Sequence, residues 1–253
     1  WECYRTDVTG VGCYSSKDLL NWKFEGIVLP AVKEDPNHDL HPSKVLERPK
    51  VIYNKKTGKF VMWAHVESAD YSKACAGVAV SDFPNGPFTY LGSFRPNNAM
   101  SRDQTVFVDD DGRAYQFYSS ENNETMYISL LTDDYLTPSG RFTRNFVRES
   151  REAPAVFKYN GKYYFSYSTG DTHLLCYATG DNPYGPFTYQ GVILTPVVGW
   201  TTHHAIVEFK GKWYLFHHDC VPSEGKTWLR SLKVCELQYD AGGRIITIEG
   251  KDE

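Results

Sequence analysis

The feature that most constrains the fold is a phrase of nine residues that occurs four times along the chain. Each copy contains a glycine, then a basic residue, then an aromatic-rich run, and the copies occupy residues 57–65, 111–119, 160–168 and 210–218. Their glycines lie 54, 49 and 50 residues apart. Another β-rich run precedes each copy, so each pair of runs predicts an antiparallel hairpin with a glycine-containing turn.

A second phrase marks a later part of each repeat. Residues 85–92 and 184–191 share the letters Gly-Pro-Phe-Thr-Tyr, and residues 16–26 resemble the same place in an earlier repeat. Four strands in every fifty or so residues are typical of the blades of a β-propeller, and no helical periodicity competes with this pattern. The sequence therefore predicts an all-β protein, a five-bladed β-propeller with an incomplete first blade.

We interpret residues 1–253 as a single propeller domain. Residues 1–40 form a partial blade one, and the complete blades two to five cover residues 41–100, 101–150, 151–198 and 199–253. The partial blade lacks its first hairpin, including the innermost strand that would line the axial funnel. An incomplete blade leaves an open strand edge, through which a second copy of the chain could pair.

Composition excludes several classes of function. The net charge is -4, so the chain carries no basic footprint for nucleic acid or an anionic membrane surface. No apolar run reaches the roughly 18 residues of a membrane-spanning helix, and no signal peptide precedes Trp1, so we expect a mature or trimmed form. Aromatic residues make up 15% of the chain, which suits either a sheet core or flat faces for sugar rings.

Acidic residues stand just before three of the four predicted inner strands. Glu47, Asp103 and Glu152 precede the strands of blades two, three and four, and the pair His203-His204 precedes that of blade five. A single acid at such a place is more typical of a turn cap or a surface ion pair. Three acids at the same blade position predict a shared carboxylate-lined pocket. Such a pocket suits hydrolysis of a glycosidic bond, in which one carboxylic acid donates a proton while another group activates water.

At residues 102–112 and 151–158 the sequence resembles glycoside hydrolase family 43, and the resemblance extends over essentially the whole chain. Members of this family are inverting enzymes built on a five-bladed propeller. The resemblance implies that Glu152 is the general acid and that Asp103 positions this proton donor and tunes its pKa. It also implies that His203 binds a central calcium ion or its waters, while the chemistry itself requires no cofactor.

The first two-thirds of the chain resembles the exo-β-1,3-galactanase branch, through residues 46–51, 67–73 and 118–124. In that branch the counterparts of Glu47, Tyr71 and Asp103 hold the terminal galactose, and Asn123 is a further candidate for this role. Residues 165–173 and 199–207 instead resemble arabinofuranosidase and xylosidase members. The galactanase branch uses a glutamine in place of the usual aspartate base, and neither residue has a recognisable counterpart here.

These observations predict an exo-acting, inverting glycosidase that cleaves terminal sugars from a plant-type polysaccharide, with β-1,3-galactan favoured. An α-L-arabinofuranosidase or β-xylosidase of the same family is the first alternative. The second is a catalytically impaired, designed or truncated propeller that binds sugar or serves as a scaffold. The expected partner is an oligosaccharide or polysaccharide, and the family resemblance predicts a secreted or periplasmic protein.

Overall fold

The computed structural model describes residues 1, 3, 5, 7–145, 147, 150–199 and 203–250. Over these residues it contains seventeen β-strands and two short 3₁₀ turns, Pro96–Asn98 and Val221–Ser223, and no α-helix. Within this described part of the chain, no helix has the length and apolarity needed to cross a membrane. The strands form five antiparallel sheets.

The residues divide into two compact units. The first comprises Trp1–Asn122 and Ser129–Phe142, and the second comprises Asn123–Ile128 and Thr143–Glu253. The single domain proposed from the sequence stays a prediction.

Two complete sheets of the first unit follow the chain without crossovers. A hairpin pairs β1 (Gly10–Ser16) with β2 (Trp22–Pro30). A four-stranded sheet then runs in the order β3 (Val45–Asn54), β4 (Lys59–Glu67), β5 (Cys75–Ser81) and β6 (Thr89–Phe94). The next sheet has the order β10-β9-β8-β7 and contributes residues to both units, with strands β7 (Arg102–Val108), β8 (Ala114–Ser120), β9 (Thr125–Leu131) and β10 (Pro138–Asn145).

The second unit holds the last two sheets. A four-stranded sheet runs in the order β11 (Glu152–Tyr159), β12 (Lys162–Ser168), β13 (Leu175–Gly180) and β14 (Thr188–Leu194). A three-stranded sheet follows with β15 (Ala205–Phe209), β16 (Lys212–Asp219) and β17 (Ser231–Glu236).

The prediction of an all-β propeller fold is confirmed, but the number of blades is four rather than five. Three sheets have four strands and one has three, whereas β1 and β2 form only a two-stranded hairpin. Two strands provide too little apolar surface to make a blade by themselves, because a stable sheet needs at least a third strand or a covering element.

The repeated glycine is explained by the turn that it occupies. Gly58, Gly112, Gly161 and Gly211 have φ angles of 69°, 81°, 76° and 79°, in the left-handed region that glycine enters without steric cost. Each lies in the tight connection between the first and second strands of a blade, which confirms the hairpins predicted from the repeat. The repeat is therefore a constraint on backbone geometry at four equivalent turns.

Each of the two units buries apolar side chains. In the first, Trp63 is completely buried and donates from its indole Nε1 to the carbonyl of Tyr135 at 2.9 Å. In the second, the core is aromatic, with Tyr159 stacked on Tyr239 at a ring separation of 3.9 Å. Much of the aromatic content of the chain is therefore sheet core. All six cysteines are free thiols, so neither unit depends on a disulfide.

Candidate active site

The same β-bulge opens the first strand of three blades. On β3, two residues between Glu47 and Lys50 oppose one residue of β4, because Glu47 pairs with His65 and Lys50 with Trp63. The registers of β7 and β11 show the same excess of one residue, between Arg102 and Thr105 and between Glu152 and Ala155. Such bulges bend a strand and redirect its side chains, and they are common beside active sites.

The bulges show that the three acids do not occupy equivalent positions. Glu47 and Glu152 are equivalent, and the matching residue of β7 is Arg102. Asp103 lies one residue later, where it takes a left-handed φ of 44°. The expectation of three acids in register is therefore wrong for Asp103, because the extra residue of a bulge changes the pairing without leaving a trace in the sequence pattern.

In the first unit, Glu47 belongs to a series of charged side chains centred on His65. The imidazole Nδ1 of His65 lies 3.1 Å from Glu47 Oε2, and its Nε2 lies 3.3 Å from Glu67 Oε1. This arrangement follows from the strands, since Glu47 and His65 are cross-strand partners and Glu67 lies two residues along β4 on the same face. Asp103 Oδ1 lies 3.9 Å from the same Nδ1.

Arg102 and Tyr71 complete this series of side chains into a closed ring with Glu47, His65 and Glu67. Arg102 donates through Nε to Glu67 Oε1 at 3.3 Å and through a terminal nitrogen to the carbonyl of Tyr71 at 2.6 Å. The hydroxyl of Tyr71 in turn donates to Glu47 Oε1 at 3.0 Å. The ring therefore connects the buried carboxylate of Glu67 to the partly exposed carboxylate of Glu47 through two separate routes.

The environment of His65 keeps its ring positively charged. Burial by itself would lower its pKa, but the close contacts with the carboxylates of Glu47 and Glu67 and the negative charge of Asp103 outweigh burial and raise the pKa to about 9. Burial would likewise raise the pKa of Glu67, yet hydrogen bonds from His65 and the Ala74 backbone, with the charges of His65 and Arg102, lower it. These shifts favour a protonated His65 beside an ionised Glu67 at neutral pH.

Glu47, His65 and Asp103 place their donor atoms within 4.8 Å of one another, a spacing that could also suit a metal ion. A metal would need the Nδ1 lone pair of a neutral imidazole. Close contact with carboxylates at both ring nitrogens instead suits a doubly protonated ring, so we assign this cluster as an ion network.

In the second unit, the structure places Glu152 beside His203. The imidazole Nε2 of His203 lies 3.9 Å from Glu152 Oε1, and 28% of the Glu152 side chain is exposed. This exposure leaves the carboxyl group accessible to a ligand. The same unit contains Asn123, in the turn between β8 and β9, whose Oδ1 is shielded from solvent and hydrogen-bonds to no described residue.

Calcium at His203 stays a prediction. His203 and Glu152 together offer one imidazole nitrogen and one carboxylate, whereas Ca²⁺ takes six to eight oxygen ligands. These two side chains alone do not make a calcium site.

Sequence reasoning brought Glu47, Tyr71 and Asp103 to one site, and the structure places them together. The sequence did not point to the other three residues of the ring, which are His65, Glu67 and Arg102. One signal was available, since His65 and Glu67 follow the apolar run 60–64 of β4 at positions two apart, which places both on one face. A buried ionisable pair in a strand indicates a specific role, because burying a charge without a partner is costly.

Comparison with known proteins identifies the family. The sequence profile of "Glycosyl hydrolases family 43" matches residues 3–245. The chain belongs to this family. Family 43 proteins are glycosidases, so the acids described above are located in a member of a family of sugar-cleaving enzymes.

Two curated relatives of this family 43 chain are named for pentosides. A xylosidase/arabinosidase of Bacteroides ovatus is 54% identical over 237 residues, a match that covers 78% of this chain and 72% of that protein. A β-xylosidase of Xylanibacter ruminicola is 50% identical, and the match covers 68% of this chain and 66% of that protein. This chain therefore spans about two thirds of the latter protein's length.

Solved structures include family members of another specificity. A family 43 β-1,3-galactosidase with galactodeoxynojirimycin has a TM-score of 0.86 at 33% identity, covering 97% of this chain and 86% of that chain. An exo-β-1,3-galactanase of Phanerochaete chrysosporium with galactose has a TM-score of 0.83 at 30% identity, covering 94% of this chain and 56% of that chain. The family 43 chain is thus similar to both pentosidases and galactosidases.

Proposed function

We propose that this protein is an exo-acting, inverting glycosidase that removes terminal β-D-xylose or α-L-arabinofuranose residues from plant-type polysaccharide. The observation that carries the choice of sugar is the 54% identity with the Bacteroides ovatus xylosidase/arabinosidase, over 78% of the chain. The preference for galactan that arose from the sequence motifs becomes the second candidate.

In the proposed reaction, Glu152 donates its proton to the oxygen of the departing sugar. Its partial exposure supports this role, because a general acid must reach the glycosidic oxygen directly. Inversion requires a second group that activates water on the opposite face of the sugar, about 6.5–9.5 Å from the acid. We assign no residue to this second role.

We propose that residues of the first unit bind the terminal sugar. Glu47 is a carboxylate of the ring that is partly exposed, with 23% of its side chain open to solvent. An ionised carboxylate accepts hydrogen bonds from sugar hydroxyls, and such charge-assisted bonds are stronger than neutral ones. Glu47 with Tyr71 is therefore the proposed contact to the terminal sugar.

Hydrolysis of β-1,3-galactan is the second candidate, and the 0.86 TM-score with a β-1,3-galactosidase favours it. Xylopyranose lacks the hydroxymethyl group of galactose, so the two substrates make different demands on pocket size. A site shaped for the pentose would exclude galactose sterically.

The substrate is tested with a panel of β-1,4-xylobiose, arabinoxylan oligosaccharides and β-1,3-galactobiose. We expect release of single pentose units with kcat/KM at least about tenfold above that for galactobiose, the scale of one group's fit in a pocket. Proton NMR of the first product should show the inverted anomer. Galactose as the preferred product would favour the second candidate, and retention of configuration or internal cleavage would contradict the mechanism.

The general acid is tested by Glu152→Gln, which removes the transferable proton while preserving shape. We expect kcat to fall at least about a hundredfold. Glu208→Gln is the matched control, because Glu208 is an exposed acid of β15 in the same unit. Equal activity of the Glu152→Gln enzyme and wild type would remove Glu152 from the reaction.

A further inference from the structure

We propose that His65 is a positioning residue, which holds the Glu47 carboxylate ionised and oriented toward the terminal sugar, and that Glu67 and Arg102 hold His65 in place. This inference rests on the proposed sugar-binding role of Glu47. It extends that role to three further residues of the same ring.

Geometry is the first support. Only 2% of the His65 side chain is exposed, and none of the Glu67 side chain is, so neither can act on a ligand directly. His65 nevertheless connects the carboxylates of Glu67 and Glu47, since one ring nitrogen lies 3.3 Å from Glu67 and the other lies 3.1 Å from Glu47. Carboxylate oxygens lie close to both ring nitrogens, and a protonated imidazole, which carries positive charge and a proton on each nitrogen, suits this arrangement better than a neutral one.

The charges around His65 are the second support. Glu47 faces it from β3, Glu67 from β4 itself, and Asp103 from β7, while Arg102 of β7 neutralises Glu67 from the other side. Strand β5 contributes no charged residue, and its Ala76 lies opposite His65. Three carboxylates against one guanidinium leave an excess of negative charge, which a protonated His65 reduces. Its pKa of about 9 agrees with this balance.

Arg102 connects the same network to the loop that carries Tyr71. Its 2.6 Å hydrogen bond to the carbonyl of Tyr71 links the backbone of that loop to the buried Glu67. His65 and Tyr71, two partners of Glu47, are therefore each held by Glu67 or Arg102, which pair with one another. Loss of charge at His65 releases Glu47 from one of these two supports.

The experiment measures sugar binding, because catalysis by a general acid would obscure an alkaline transition. In the Glu152→Gln protein, which binds but turns over slowly, calorimetry gives the Kd of xylobiose and galactobiose between pH 6.5 and 10. We expect a constant Kd up to about pH 9 and weaker binding above it. When His65→Gln is combined with Glu152→Gln, the Kd at pH 7 should rise about tenfold or more, which is the scale of a lost interaction with a charged group. The weakening of binding above pH 9 should also disappear.

Glu67→Gln in the same background is a second, milder variant. It removes one of the three carboxylate charges that favour protonated His65, so the alkaline transition should move to lower pH while binding at pH 6.5 is largely retained. His217→Gln is the matched control, since it replaces another buried histidine, in the second unit. It should leave the transition in place, and thermal melts verify that each variant is folded.

The outcomes separate this inference from the proposed function. An unchanged Kd and pH dependence in folded His65→Gln protein would overturn the role of His65, as would the absence of any sugar binding. Wild-type protein that cleaves nothing, but binds sugar with the predicted transition, would refute the glycosidase proposal and support the role of His65.

Discussion

Tyr71 donates a hydrogen bond to Glu47 Oε1 at 3.0 Å, although the two residues are 24 positions apart in the chain. The loop that presents Tyr71 is itself ordered by Asp70, whose Oδ1 accepts from the hydroxyls of Ser68 and Ser72 at 2.6 and 2.8 Å. The backbone of Tyr71 is left-handed, with φ of 56°, and its side chain contacts Glu47 on the first strand of the blade. The contact joins two residues that sequence motifs had associated only through a family resemblance.

The first prediction concerns this contact. Tyr71→Phe removes the hydroxyl that helps to orient Glu47, but the 3.1 Å partner His65 remains. We expect KM for the preferred disaccharide to rise between about twofold and tenfold, as for loss of one ordinary hydrogen bond, with little change in kcat. Steady-state kinetics measure the effect, and Tyr14→Phe is the control, because Tyr14 is an exposed residue of β1. A fall in kcat with unchanged KM would contradict a binding role.

The second prediction concerns stability and pH. The pKa of His65 is about 9 in the folded protein, above its ordinary value of 6.5, so folding favours the protonated ring. The stabilisation is complete below pH 6.5, declines as pH rises toward 9 and is lost above it. A shift of this size corresponds to about 3 kcal/mol of unfolding free energy.

Urea denaturation between pH 6 and 10 measures this effect. Wild-type protein should lose stability across the window, and His65→Gln protein should be less stable at pH 6 but flatter in its pH dependence. Parallel curves for the two proteins would show that His65 does not titrate in this range.

The third prediction concerns the bulge beside Glu152. Ala153 is buried with a left-handed φ of 55°, a conformation that costs an ordinary residue about 1–2 kcal/mol. Ala153→Gly relieves this cost and offsets the extra chain entropy of glycine, so we expect a change in unfolding free energy near zero. Ala155→Gly, at a buried position of the same strand with no positive φ, should lose about 1 kcal/mol.

Urea denaturation of both variants compares the two positions directly. Equal destabilisation by the two substitutions would show that the bulge at Ala153 carries no backbone strain.

The hairpins could be predicted from the sequence because their signal is local. A glycine in a left-handed turn and a following apolar run occur within about ten residues, and the structure has β4, β8, β12 and β16 where these runs lie. The number of blades could not be predicted in the same way. Whether β1 and β2 count as a blade depends on how many strands pair with them, which no local pattern specifies.

The residues of the candidate site also fall into two groups, those that the sequence identified and those that only the folded structure explains. Glu47 and Glu152 were identifiable from the residues that precede each inner strand, since these residues recur in the repeat. The one-residue offset of Asp103 was not, because a bulge is defined by the pairing of two strands. Asp103 and Glu67 meet at His65 only after β3, β4 and β7 have packed together.

By itself, the sequence determined the strand content, the four turns and the acids placed at strand starts, because each depends on interactions between near neighbours. Tertiary structure decided which side chains surround these acids, and it favours the charged forms of His65 and Glu67. Those properties depend on burial and on charges brought together from distant parts of the chain, as in the ring of Glu47, His65, Glu67, Arg102 and Tyr71.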